Sequence, residues 1–479
     1  MTLSVEVRAG GAGDAPAGTA ALLASAAAMA EVRALRALHY DPAVVGPLSA
    51  VVSPPYDVID ASQREELLSR SPFNVIAVDL PQGEPDPYTA AAALMANWRA
   101  SGAVVRDELP ALWAHTQQYT GPDGRRRTRR GFFCRARIEG GSPGAIRGHE
   151  RTHPGPKEDR LRLTRATRMN ISPIFSLYSD PRQAAWAALE PATELEPWAE
   201  VSDAQDTVHR VWRVSDPEAI AAVQDAVAPA ELLIADGHHR YETMRDYAAE
   251  VDAAEIDAGP AAHPKASGAR AGGAGAECGA RGGEEHRFAL MCLVALEDPG
   301  LEIFATHRVV RGLDDQRHDR LLNDLQRDFE MSEVAEQDLA PAPGAGPLEL
   351  GYIDAWSKRP TRLRLRSQSI ADEALQGRSE AYRHLDTGVL EALVLKGSLG
   401  LSGEDIASFN GLFYARDARE AVEMVRRGEY QAAFLMRPTP VQAVSALAEL
   451  SESMPPKSTY FYPKLLTGLL FNELYPQSP

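Results

Sequence analysis

One segment constrains this chain more than any other: Leu232-Leu233-Ile234-Ala235, then Asp236-Gly237-His238-His239-Arg240, then Tyr241-Glu242 and a helical pattern. The apolar run predicts a short buried strand over 231–235. The stretch 241–251 predicts a helix, so the five residues between form a tight turn at a helix N-terminus. A first helical turn carries backbone N–H groups without intrahelical partners and the positive end of the helix dipole, which together suit an anion. Gly237 allows positive φ and close approach of backbone to a ligand. Arg240 can clamp two oxygens of a phosphate in parallel. His238 and His239 can donate to phosphate or move a proton near neutral pH. Asp236 can orient a hydroxyl or hold a Mg²⁺ ion. The bland alternative is a structural turn, with the histidines capping the helix and the aspartate tied to backbone.

Composition sharpens this. The formal charge is −17, a field that opposes nucleic acid and acidic membranes, so an anionic ligand requires a local basic pocket. With 479 residues the chain is too long for one ordinary core. Residues 1–30 form a Gly/Ala-rich tail, and a Gly/Ala-rich stretch at about 257–285 reads as a disordered insertion. The three cysteines, Cys134, Cys278 and Cys292, are widely spaced, which supports neither a disulfide framework nor a cysteine zinc site. No basic leader precedes an apolar core, and no apolar run spans a bilayer. A cytoplasmic protein is the expectation.

Strands and helices alternate irregularly. A hairpin over 111–138, turning at Gly121-Pro122-Asp123-Gly124, points to a mixed rather than purely parallel sheet, an α+β (mixed α/β) fold. The run Arg125-Arg126-Arg127-Thr128-Arg129-Arg130 reads as a solvated hairpin tip, with anion binding as the lesser alternative. Asn74–Leu80 reads as a buried strand, and Ser62 with Glu65 as a capping box.

Two further basic groups stand out. Pro156 suits the start of a helix on which Lys157, Arg160, Thr164 and Arg168 share one face, either an anion wall or a solvated face of ion pairs. Glu150 precedes this helix and is a candidate general base. The run from Lys457 to Lys464 holds two lysines, two hydroxyls and three aromatics. It can build a pocket wall or strap the core.

At Ser53-Pro54-Pro55-Tyr56-Asp57-Val58-Ile59, His149-Glu150, Gly155-Pro156-Lys157, Arg165–Arg168, Ser172-Pro173-Ile174, 235–242 and 454–464 the chain resembles the domain-of-unknown-function family 1015, over about residues 31–475. The Asp236–Arg240 turn is also similar to the phosphate turn of the ParB/sulfiredoxin superfamily, which includes kinases of free serine. That resemblance implies a ParB/sulfiredoxin-like core with a mixed sheet over 31–335, closed by a C-terminal α/β part over 336–479. It implies that Asp236, Gly237, His238, His239 and Arg240 contact the phosphates of ATP or ADP, with Mg²⁺ on Asp236. Lys157, Arg160 and Lys457 would add cofactor contacts, and Glu150, with Asp57 next, would be the base. The expected activity is phosphotransfer to the hydroxyl of a small molecule, serine or a related hydroxy acid. The alternative is a nucleotide-binding regulatory clamp without transfer chemistry. DNA partition, the superfamily's other use, conflicts with the charge and with the lack of a basic recognition helix. A sulfiredoxin-like reductase needs a reactive thiol, and Cys134 and Cys292 lie in apolar runs.

Overall fold

A computed structural model describes residues 30–121, 124–138, 145–150, 152, 154–258, 284–344, 346–450 and 452–475. The tail over 1–29, most of the expected insertion and Cys278 lie outside the described residues.

The central layer is a mixed sheet. Its strands are β1 (Leu112–Thr120), β2 (Arg126–Arg137), β3 (Ile146–Arg147), β4 (Ile174–Tyr178), β5 (Ala199–Ser202), β6 (Val208–Val214), β7 (Leu232–Asp236) and β8 (Phe288–Ala295). They lie in the order β3-β7-β4-β8-β2-β1-β6-β5, and Val32–Arg33 pairs with β2. The β3/β7 and β4/β8 pairs are parallel and the others antiparallel. The mixed sheet and the α/β class agree with the sequence reading.

Period-two alternation sends each strand's side chains to two different cores. Leu232 and Ile234 of β7 pack with Trp186, Val223 and Met244, which come from three helices covering one face. Leu233 and Ala235 point the other way, into a core shared with Tyr352 and Phe434. Those two belong to a second, six-stranded sheet ordered Phe329–Glu333, Thr361–Leu365, Glu349–Asp354, Ala432–Leu435, His307–Val310, Leu412–Ala415, with every pairing antiparallel. His307–Val310 and Phe329–Glu333 precede residue 335 and pair with strands that follow it.

Two local expectations are corrected. The segment 74–80 is buried but helical over Ile76–Asp79; a short apolar run does not by itself distinguish the two states. The helix Ala61–Arg70 is capped by Asp60 with Gln63, not by Ser62 with Glu65.

The C-terminal residues form a strap. Tyr460–Tyr462 pairs with Glu302–Phe304, Thr467 bridges Ser53, Phe471 bridges Leu38, and Asn472–Glu473 pairs with Met169–Asn170. Phe461, Leu465, Leu466 and Leu470 are buried in the core between the sheets. No helix among the described residues is long and apolar enough to cross a membrane.

Candidate functional site: an ion-paired corner beside a cavity

The turn has the expected strand–turn–helix geometry. The register of β7 against β4 slips between Ile234 and Asp236, leaving Ala235 as an extra residue at the strand end. Gly237 follows with φ +94°, and helix α2 starts at His238 and runs to Ala258. A Cβ on Gly237 would lie 2.9 Å from Arg240 Nε and 3.0 Å from its Cζ. Glycine therefore does two things here: it takes the backbone angle, and it leaves room for Arg240 to fold back over the turn.

Arg240 uses that room to donate from Nη2 to Asp236 Oδ2 at 2.5 Å, and from Nη1 to the Pro173 carbonyl. Its Nε is buried without a hydrogen-bond partner. The second oxygen of Asp236 accepts from Lys464 Nζ. The side chains of Asp236, Arg240 and Lys464 are 13%, 10% and 17% exposed. Burial opposes the Asp236 charge, but Lys464 and Arg240 outweigh it and hold the carboxyl well below the usual carboxylate range. Burial likewise opposes the Lys464 charge, and Asp236 overcomes it, raising the ammonium. One carboxylate faces two cations, with Asp57 in electrostatic reach of Lys464 and Asp79 in reach of Arg240. Exposed Lys457 adds positive charge within electrostatic reach of Asp236.

Asp236 does not fit the expected Mg²⁺ role. Both of its oxygens accept from cations, and among the described residues no three metal-ligating side chains gather. No step through a metal follows from this arrangement.

His238 corrects another expectation. It is buried, and its Nε2 accepts from the His149 backbone N–H at 3.2 Å. Its ring meets that of His149 edge to face at 4.7 Å. Burial, with His239, Lys464 and Arg240 nearby, pushes His238 down to about 3 despite Asp236. Burial and His238 hold His149 at about 3 as well. Burial therefore favours the neutral form of both imidazoles. The neutral His238 carries its hydrogen on Nδ1, which lies 3.8 Å from Glu150 Oε2. Glu150 is thus brought to the corner, its side chain a quarter exposed. His239 is half-buried and lies within electrostatic reach of His238.

Helix α1 (Pro154–Thr167) does not present the expected basic wall. Arg160 is buried, donating to the Asp79 carbonyl at 2.7 Å and its carboxylate at 3.0 Å, over the Tyr56 ring. It neutralises a buried aspartate and has no free fork for a cofactor. Lys157 pairs with Asp246 and Glu242 on α2 at 3.1 and 3.8 Å. Thr164 is buried, and Arg168 lies beyond the helix at φ 51°. The stripe turns inward at Arg160, which Asp79 draws in, while Lys157 pairs across to α2.

The arginine run of the hairpin is not simply a solvated tip. Arg129 is buried on β2, with its guanidinium 4.4 Å over the Phe175 ring. It donates to Gln117 Oε1 at 3.0 Å and to the Pro463 carbonyl at 2.6 Å, while Gln117 Nε2 donates to the Lys464 carbonyl at 2.9 Å. Two main-sheet side chains thus hold the strap where Lys464 reaches Asp236. Nothing in the sequence joins residue 464 to residue 236. The available signal was the period-two pattern that places Trp113, His115 and Gln117 opposite Phe133, Gly131 and Arg129.

Beyond Lys464 opens a cavity of about 570 Å³, bounded by Pro54-Pro55, the end of β1, the loop 202–205 and the strap. Its walls include Phe304, Tyr460 and Tyr462. Cys134 and Cys292 are buried, and burial pushes Cys292 up to about 12, so neither is a reactive thiol.

Fold and site together define a mixed α/β protein with an ion-paired strand–turn–helix corner. The sequence matches "Protein of unknown function (DUF1015)" over residues 32–387, and the chain belongs to that family. No curated protein matches it. Among solved structures it is similar to a free serine kinase in complex with AMP, at 11% identity and TM-score 0.33, covering 68% of this chain and 89% of that one. It is also similar to a conserved hypothetical protein from Pyrococcus furiosus, at 14% identity and TM-score 0.32, covering 68% and 92%. A third is SbnI from Staphylococcus aureus with a C-terminal truncation, at 11% identity and TM-score 0.31, covering 67% and 82%. At such scores these likenesses carry no weight for function, which rests on this chain's own residues.

Proposed function

We propose that this protein binds a nucleoside phosphate, ATP or ADP, at the Asp236–Arg240 corner and transfers a phosphoryl group to the hydroxyl of a small molecule, serine or a related hydroxy acid. The supporting observation is the buried Lys464–Asp236–Arg240 cluster at a helix N-terminus. Phosphoryl transfer requires positioning and charge neutralisation more than covalent chemistry. Lys464 and the first-turn amides of α2 draw the phosphate oxygens in, and Arg240, whose Nη groups are held by Asp236 and Pro173, contributes through its charge. Asp236 keeps the two cations aimed at one point. Glu150 accepts the proton of the attacking hydroxyl as the new P–O bond forms and the bond to the leaving phosphate breaks. Neutral His238 lies beside this base, its Nδ1 3.8 Å from Glu150 Oε2.

The test is incubation with ATP or ADP and free serine, reading phosphoserine by mass spectrometry and nucleotide affinity by calorimetry. Glu150→Gln is expected to lower turnover by about 10²-fold or more with affinity kept. Absence of nucleotide binding overturns the reading. Binding without product from any hydroxy acid favours the regulatory clamp, a reading supported by one observation: Lys464 arrives on a strap that a ligand at the corner would engage.

A further inference from the structure

We infer that the 570 Å³ cavity next to Lys464 receives the nucleoside part of the nucleotide, its base against the aromatic wall and its phosphates reaching past Lys464 to the corner. This rests on the nucleotide reading above and adds where the rest of the ligand sits.

The cavity falls within the size range of sites that enclose drug-sized ligands, and it far exceeds what a serine-sized acceptor fills. Its lining is mixed: Pro54, Val58 and Leu67 are apolar, Glu66, Asp203 and Asp417 are acidic, and Arg416 and Lys464 are cationic. Arg416 lies 4.6 Å and Lys464 Nζ 5.0 Å from the Tyr460 ring centroid, so both cations sit at the aromatic wall. Phe304 and Tyr462, which both line the cavity, stack with ring centroids 4.5 Å apart and planes 16° apart. A compartment with an aromatic wall, leading to a lysine that is already aimed at an anion site, suits a molecule with a planar apolar head and a polyanionic tail. Base–aromatic stacking contributes through the ring face and tolerates different bases. Inorganic polyphosphate could use the corner but would gain nothing from the cavity.

That difference supplies the test. Calorimetry compares ATP with inorganic tripolyphosphate on the full chain. The wild type is expected to bind ATP at least about tenfold tighter than tripolyphosphate, a difference of about 1.4 kcal/mol. Two substitutions probe the cavity without touching the corner. Ala204→Trp places bulk into it from an exposed loop position, so the core is undisturbed. Phe304→Ala removes half of the stacked wall. Each is expected to abolish the preference for ATP while tripolyphosphate affinity stays within twofold of wild type. If ATP binds and its advantage survives both substitutions, the nucleoside lies elsewhere and this inference falls while the proposed function stands. If neither ligand binds the wild type, the nucleotide reading itself falls, and this inference with it.

Discussion

Asp236 and its two cations illustrate how burial turns a surface-looking motif into a high-stakes cluster. Removing one partner of a buried ion pair leaves an uncompensated charge and typically costs about 3–5 kcal/mol. Asp236→Ala should therefore lower the urea midpoint strongly, and an unchanged midpoint would show that the pair is solvated. The histidines make a separate prediction. His149 and His238 titrate near 3 in the folded chain, because burial outweighs everything else, against about 6.5 in the unfolded chain. Below about pH 6.5 the unfolded chain takes up protons that the folded chain refuses. Stability then falls by about 1.4 kcal/mol per pH unit for each histidine until the folded value is reached. Asp236 acts in the same direction: its stabilising charge is intact above the usual carboxylate range and is lost as pH falls through its lowered value. Denaturation midpoints should fall steadily from pH 7 to 5, and His149→Phe should flatten the slope. Equal slopes in the two proteins would refute the assignment. Arg129 belongs at this scale too. Arg129→Lys keeps the charge but loses the fork that spans Gln117 and Pro463. It should weaken ATP binding about tenfold, or 1.4 kcal/mol, without touching ligand. Unaltered affinity would mean that Lys464 needs no clamp.

At the scale of elements, the strand–turn–helix corner was legible because its signals are local. An apolar run, a glycine after an aspartate and a helical pattern in sequence specify β7, the turn and α2 without reference to anything distant. Gly237→Ala should cost about 1–3 kcal/mol from backbone strain and weaken nucleotide binding by pushing Arg240 away. Gly46→Ala is the control, since Gly46 shares a positive φ of +80° but has open space around its Cβ position. It should lose stability alone, and an equal loss of binding in both would dissociate Arg240 from the effect. Helix α1 shows the opposite case. Its 3.6-residue spacing put Lys157, Arg160 and Thr164 on one face correctly. Spacing does not say whether a face meets solvent, and Asp79, a residue of a segment expected to be a strand, turned that face inward. The hairpin behaved likewise: its strands were evident, while the burial of Arg129 depended on the strap laid across β1 and β2.

At the scale of the whole chain, the strap couples parts that are far apart in sequence. It covers the face of the main sheet that also meets the six-stranded sheet, and it delivers Lys464. The family match ends at residue 387, yet the strands Leu412–Ala415 and Ala432–Leu435 flank His307–Val310. A chain cut after residue 387 should fail to unfold cooperatively and should bind a hydrophobic dye. A cooperative fragment would show that the first sheet is self-sufficient. A chain cut after residue 453 should lose anion binding entirely, together with the contribution of Phe461 and its buried neighbours. What the sequence determined on its own was whatever depends on neighbours along the chain: the alternation of mixed strands, the glycine turn and a helix after it, which starts at His238 rather than at the expected Tyr241. The tertiary structure decided the protonation of the histidines, the inward face of α1 and the identity of the second cation. Burial and charge pairing act through space, and no spacing rule reaches from residue 236 to residue 464.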